Sequence, residues 1–392
     1  MTDFREFEDY SLVTAILPQS STRKVLEAIL SSGAPHALAA NARGSIIKNY
    51  WYQSLLPALS PEQEILSFLV PNEECDHLME QVVMEGKLQQ FGAGSIYATP
   101  CDHLTCANDF PIWTPGGYSF ESVSYDIQFK KELSALVLIT EKGAADGIAR
   151  AAIRAGSPGP TISYVRGYGL LYRLWLLRIT KTHDKEQITA VVDRYDVDAV
   201  FEAMAQAGKI DRPGRGILYE VPISKGLTNL ASVFHAQKHS ASIQQIVRAI
   251  DEIQGGADWR ANHLLIHDPE AEEIKAHSKQ VIKTRCIFTI LCHRKDTDDL
   301  LKKSLNCGVP GASIRYWRFA QANAEHTTGG QRINQETGSI TMIVDSDKAP
   351  DLQRVLREYI VQKELKQACI FSHAASAMKT YISSKAKTAK VS

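Results

Sequence analysis

The chain has 392 residues, of which 44% are hydrophobic, so it has enough apolar side chains to bury the cores of several domains. Lysine plus arginine and aspartate plus glutamate both number 44, which excludes a global field that would draw the protein to nucleic acid or an anionic membrane. The N-terminal segment is acidic and lacks the features of a secretory signal, and no uncharged apolar stretch is long enough to span a bilayer. These features predict a cytoplasmic protein without a transmembrane segment. The seven cysteines are odd in number and scattered, which predicts reduced thiols.

A segment of constant length occurs three times along the chain, at residues 11–33, 134–156 and 286–308. Each copy begins with a run of β-prone apolar residues, passes a short polar break, and continues with apolar residues at helical spacing. Each copy ends on glycine, which is common just after a helix, and a second break containing proline leads into another extended run. The pattern predicts strand, helix and strand in all three places.

The second half of each copy repeats this plan. The predicted strands, helices and closing strands lie at 64–70, 73–84 and 95–99, at 187–192, 197–207 and 217–221, and at 339–344, 350–363 and 368–371. Three ferredoxin-like βαββαβ modules of the α+β class result, each with two helices on one face of a four-stranded antiparallel sheet. Chance similarity between unrelated amphipathic segments is the alternative to a true repeat.

The repeat also predicts the domain organisation. The three modules span 1–100, 133–226 and 284–378, with a linker at 101–132, a helical connector at 227–283 and a disordered lysine-containing tail at 379–392. We expect the linker to be irregular apart from an edge strand at 119–129, and the connector to contain a helix at 241–253.

Glycine-rich stretches follow the second helix of the first two copies. They contain Gly86, Lys87, Gly92 and Gly94 in the first copy and Gly208, Lys209, Gly214, Arg215 and Gly216 in the second. Glycine lets phosphate oxygens approach the backbone and lets successive N–H groups converge on an anion. A tight turn between helix and strand is the alternative interpretation of the same residues.

These stretches resemble the nucleotide-binding B-loop of the PII signal-transduction family. Residues 156–169 resemble the family's segment leading to its effector loop, and Arg166, Gly167 and Gly169 lie there. Family members are typically homotrimers with ligands in the clefts between subunits, so the resemblance implies an intramolecular pseudo-trimer. It also implies an adenine nucleotide (ATP, ADP or AMP) as effector ligand at the residues just named, and a target protein of unknown identity.

The sequence departs from the family pattern where phosphate would be bound. Ala93 and Arg215 replace the family's Asp, Ser95 and Ile217 replace its Lys, and the third copy has no glycine at 363–369. Two alternatives therefore stay open. Either a different anionic metabolite binds, or the chain is a structural or assembly protein that keeps the trimeric scaffold without a ligand.

Other chemistry leaves weaker signals. The polar segment 320–338 is the predicted flexible effector loop, whereas the apolar segment 170–182 is a predicted strand. Residues 101–106 and the pair His263 and His267 contain potential metal ligands, for which ordinary loop cysteines and histidines are the alternative. No catalytic motif is visible, which predicts that the protein is not an enzyme.

Overall fold

The computed structural model describes residues 4–45, 62–90, 93–116, 127–169, 184–229, 285–320 and 333–381. Within these ranges, strands and helices recur three times in the order βαββαβ, and all the strand pairs are antiparallel. The predicted mixture of helices with antiparallel sheet is confirmed, with six α-helices in the described part of the chain.

Each copy is followed by one further short strand. A strand β1 (Phe4–Phe7) precedes the first copy, which comprises β2 (Tyr10–Pro18), α1 (Gln19–Ser31), β3 (Ala37–Gly44), β4 (Glu62–Pro71), α2 (Cys75–Gly86), β5 (Gly94–Pro100) and the added β6 (His103–Ala107). The second copy comprises β7 (Leu133–Glu141), α3 (Ala145–Arg154), β8 (Thr161–Gly169), β9 (Asp184–Asp193), α4 (Val197–Gly208), β10 (Gly216–Ile223) and the added β11 (Lys225–Asn229). The third comprises β12 (Arg285–His293), α5 (Thr297–Asn306), β13 (Gly311–Ala320), β14 (Ile333–Asp345), α6 (Ala349–Gln362), β15 (Cys369–Ala375) and the added β16 (Ala377–Thr380).

The order of strands within the sheet is the same in each copy. It is β3-β4-β2-β5 in the first, β8-β9-β7-β10 in the second and β13-β14-β12-β15 in the third. Apolar residues at helical spacing, such as Val25 and Ile29 on α1, are buried against one face of the sheet, as predicted. Each copy thus has its own core between sheet and helices.

The added strands join the copies in a cycle. Strand β11 of the second copy extends the first copy's sheet at β5, β16 of the third extends the second at β10, and β6 of the first extends the third at β15. The strands β3, β8 and β13 also pair with one another. The opposite faces of the three sheets then share one central core, which contains Tyr97, Tyr219 and Phe371.

The predicted linker 101–132 is wrong at one point, because β6 lies within it and pairs with β15. After β6, Trp113 is fully buried in the core of the first copy, and its indole N–H donates to Glu74. Residues 127–129 of the predicted edge strand have no strand structure. The following predicted segments lie outside the described residues: 119–126 of the edge strand, 230–283 of the connector, and the tail beyond Tyr381.

Two cysteines contradict the prediction of reduced thiols. Cys106 and Cys369 face each other on β6 and β15, with Cα atoms 4.0 Å apart, and form a disulfide. The two residues are far apart in sequence, so only the pairing of the first and third copies brings them together. No helix in the described ranges is long and apolar enough to cross a membrane.

We expect a thiol titration of the denatured, unreduced protein to give five reactive groups rather than seven, because Cys75, Cys101, Cys286, Cys292 and Cys307 are free. A count of seven in freshly purified protein would contradict the pairing. Reduction before denaturation, which should restore the count of seven, is the control.

Candidate functional site at the junctions between copies

The predicted B-loop glycines have structural requirements of their own. Gly94 and Gly216 have φ of +134° and +132°, and a Cβ at either position would collide with the carbonyl oxygen of Ile16 or Ile139 on the neighbouring strand. Gly86 and Gly208 lie at the ends of α2 and α4, where a Cβ would press on core side chains. The structure therefore favours the tight-turn interpretation for these four residues.

The charged residues of the two stretches lie at the surface. Lys87 and Lys209 are exposed and end their helices in the left-handed conformation, with φ of 53° and 51°. Gly214 is also left-handed, with φ of +76°. The exposed Arg215 lies 3.4 Å from Glu141, a surface pair that contributes little to stability. Gly92 lies outside the described residues.

The remaining predicted ligand residues, Arg166, Gly167 and Gly169, lie apart from the two B-loop stretches. Gly167 and Gly169 are on β8, opposite Ser313 and Gly311 of the third copy. Arg166 is exposed beside them, and its guanidinium lies 5.6 Å from the centre of the Tyr316 ring. The clefts that Arg166 lines contain none of the predicted B-loop residues. The structure therefore does not bring the two groups together.

Arg166 belongs to a set of three corresponding arginines. Arg43, Arg166 and Arg318 each follow by ten residues the glycine that ends the first helix of their copy. Arg43 binds the second copy, with 2.7 and 3.2 Å from its two Nη atoms to the Asp146 carboxylate and 3.9 Å to Glu186. Arg318 donates to Glu64 of the first copy. Two of the three junctions therefore contain a neutralised arginine.

The third junction has no such ion pair among the described residues. Strand pairing shows that Glu64, Glu186 and Gly338 occupy the same position in their copies. Glu64 lies opposite Leu17 on β2, Glu186 lies opposite Thr140 on β7, and Gly338 lies opposite Cys292 on β12. Glycine thus replaces the glutamate that Arg166 would meet in the third copy. In the part of the chain that the structure describes, no carboxylate lies within 4.0 Å of Arg166.

Arg166 instead faces an open cleft of about 740 Å³ between the second and third copies. The other residues that line it are His293, Arg294, Lys295, Thr297, Asp298, Tyr316 and Glu336. Arg294 donates to Glu336 and lies 4.5 Å from the centre of the Tyr316 ring. The cleft therefore contains three cationic and two anionic side chains, and Arg166 and Lys295 provide its positive surplus.

A second basic cleft of about 530 Å³ adjoins the first, because Arg166, Tyr316 and Glu336 line both. Arg315 also lines it, donates to Ser163 at 2.8 Å, and has no acidic partner among the described residues. Burial lowers the pKa of Arg315 to about 10, although the nearby Tyr219 and Tyr97 hydroxyls oppose that shift. Its guanidinium is still charged at neutral pH.

Comparison with known proteins identifies no family for the chain. No family model matches, and neither does any curated protein. Similar solved structures include PII from Arabidopsis thaliana bound to citrate, with 19% identity over 24% of this chain and 78% of that one, at a TM-score of 0.20. The regulatory subunit of aspartate kinase from Thermus thermophilus has 12% identity over 52% of this chain and 95% of that one, at 0.18. Aspartate kinase from Synechocystis has 8% identity over 95% of this chain and 44% of that one, also at 0.18. Superpositions with scores this low do not assign a family.

The predicted metal alternatives find no support in the described ranges, where no three His, Cys, Asp or Glu side chains converge as metal ligands would. Cys106 is bonded to Cys369, and His263 and His267 lie outside the described residues. The predicted strand at 170–182 and residues 321–332 of the predicted effector loop also lie outside them.

Proposed function

We propose that this chain is a PII-like regulatory protein, an intramolecular pseudo-trimer that senses a small anionic metabolite between its second and third modules and signals to a protein partner. Module boundaries at 1–100, 133–226 and 284–378, extended by the added strands, fit the cyclic strand pairing that supports the pseudo-trimer. One observation carries the ligand site: Arg166 faces an open cleft, whereas the corresponding Arg43 and Arg318 are neutralised.

An anion is the ligand class that this cleft favours. A guanidinium binds carboxylate or phosphate through two parallel hydrogen bonds, and such charge-assisted bonds are stronger than neutral ones. Lys295 adds a second cation, and Tyr316 adds an aromatic face on which a planar group of the ligand can stack. We include adenine nucleotides among the candidate ligands, with this cleft rather than the B-loop glycines as their site.

Ligand binding in this cleft could also affect the predicted effector loop, because residues of the strands next to that loop line the cleft. Tyr316 lies on β13, which ends at Ala320, and Glu336 on β14, which begins at Ile333, so the predicted effector loop 320–338 includes the start of β14 and the two strands precede and follow its residues 321–332. A ligand that binds Arg166 and these two strands more tightly in one loop conformation than in another would shift the loop between them. The proposal includes no catalytic step.

The test is a thermal-shift titration with ATP, ADP, AMP, inorganic phosphate and succinate, using native protein, Arg166→Gln and Lys209→Gln. We expect a saturable rise in melting temperature with at least one anion, lost in Arg166→Gln and kept in Lys209→Gln, because binding only the native state stabilises it. Loss in Lys209→Gln alone would return the site to the B-loop. No rise with any anion would favour the structural or assembly protein.

A further inference from the structure

Two of the three equivalent junctions already contain the group that a ligand would supply. Glu64 lies on β4 and Glu186 on β9, the third strand of the first and second copies. Glu64 extends toward Arg318 of the third copy, and Glu186 extends toward Arg43 of the first. Both carboxylates are buried, with only 4% of either residue exposed. In these junctions the protein's own carboxylates, Glu64 at Arg318 and Glu186 with Asp146 at Arg43, neutralise the arginine.

The third junction differs from both others at position 338. Glycine stands at 338 in place of the glutamate, and a Cβ there would collide with the Thr297 methyl group. The residue that corresponds to Thr297 in the second copy is Ala145, whose backbone N–H donates to Glu186 at 3.0 Å. The first copy has Thr22 at this position together with Glu64, so it is Gly338 that leaves the third junction without an internal glutamate while Arg166 is kept.

We infer that an external oxyanion, carboxylate or phosphate, takes the place of the missing glutamate beside Arg166, so that the chain binds one such ligand while its other two junctions are occupied by Glu64 and Glu186. This inference rests on the proposed function. It adds that the ligand binds through an oxyanion, that there is one site, and that Glu64 and Glu186 are the reason why the other two junctions bind none. The corresponding arginines support it, since Arg318 donates to the Glu64 carboxylate and Arg43 lies 3.9 Å from Glu186 while it binds Asp146 through two Nη contacts at 2.7 and 3.2 Å.

Two acidic residues, Asp298 and Glu336, also line the cleft, and their negative charge weakens the binding of an anion. Asp298 corresponds to Asp146, which pairs with Arg43, but Asp298 is not within 4.0 Å of Arg166. Glu336 is occupied by Arg294. We expect Asp298→Asn to tighten oxyanion binding severalfold, because it removes a like charge from the cleft.

The decisive experiment measures stoichiometry by isothermal titration with inorganic phosphate and with succinate as separate probes. Native protein should bind one equivalent of at least one probe, and Arg166→Gln should weaken that binding about tenfold or more. Glu64→Ala should create a second site at Arg318 and raise the stoichiometry to two. Glu62→Ala removes an exposed carboxylate from the same strand and should leave it at one.

A double variant tests the replacement directly. Thr297→Ala with Gly338→Glu copies the Ala145 and Glu186 pair of the second copy, and it should abolish binding of both probes. Native-like binding by this folded variant, or an unchanged stoichiometry in folded Glu64→Ala, would overturn the inference but leave the sensor intact. If native protein binds neither probe nor any nucleotide, the proposed function fails as well. Should the double variant not fold, the stoichiometry of Glu64→Ala decides alone.

Discussion

Lowering the pH from about 7 to about 4 is expected to remove several kcal/mol from the unfolding free energy, because two histidines must then be charged inside the protein. His36 and His373 have 0% and 5% of their surface exposed. Burial lowers the pKa of each to about 4 from the ordinary 6.5, although the hydrogen bond from His373 to the Pro100 backbone opposes the shift of that residue. The unfolded chain therefore binds more protons than the folded chain between these two pH values.

The sign and the size of the effect follow from that difference. The stabilisation is complete above pH 6.5 and decreases as the pH falls toward 4, where the folded histidines begin to titrate. At about 1.4 kcal/mol per pKa unit, each histidine accounts for about 3 kcal/mol across this interval.

Both histidines lie where the first copy meets the third. The His36 ring stacks on Phe319 at 5.5 Å between ring centres, and the His373 Nδ1 lies 2.8 Å from the Pro100 carbonyl oxygen, to which it donates. Acid should therefore weaken this junction first, while the Cys106–Cys369 disulfide still links its two sides. The open cleft at Arg166 lies at a different junction.

The measurement is the urea midpoint at about pH 7.5 and about pH 4.5. His36→Phe keeps an aromatic ring against Phe319 and should lose about half of the acid sensitivity. His103→Gln, which removes an exposed histidine, should behave as native protein does. Equal acid sensitivity in His36→Phe and native protein would show that this residue does not titrate as described.

The repeated elements could be predicted from the sequence because their signals are local. The three strand-helix-strand patterns and the six helices have apolar residues at their own period, and their observed bounds differ from the predicted ones by a few residues. The strands β6, β11 and β16 could not be predicted, because they are short and form their hydrogen bonds with another copy. The Cys106–Cys369 bond depends on one of those pairings.

The candidate site was only partly predictable. The resemblance of residues 156–169 to a PII segment points to Arg166, yet its importance comes from the comparison with Arg43 and Arg318, whose equal spacing from the glycine after a helix is visible in the sequence. The absence of a glutamate at 338 becomes informative only when strand register aligns it with Glu64 and Glu186. The B-loop glycines carried a genuine signal, but one that the backbone conformation of Gly94 and Gly216 explains.

Replacing Gly216 by alanine is expected to destabilise the fold by about 3 kcal/mol, because φ of +132° is rarely adopted by residues with a Cβ and the new methyl group would collide with a backbone carbonyl. The same change at Gly94 should have a similar effect, since its φ is +134° and it meets the corresponding strand of the first copy. The third copy has Ala368 at this position and begins its strand one residue later, at Cys369.

Urea unfolding of Gly216→Ala and of Gly169→Ala separates a structural glycine from one that binds a ligand. Gly169 has open space where a Cβ would be added, so its change should stay within about 0.5 kcal/mol of native stability. If Gly216→Ala folds with native stability but loses nucleotide-dependent stabilisation, the glycine serves a ligand and the B-loop interpretation is restored. If it loses stability while binding at the Arg166 cleft survives in the remaining folded protein, the glycine belongs to the fold, and the anion site lies between the second and third copies.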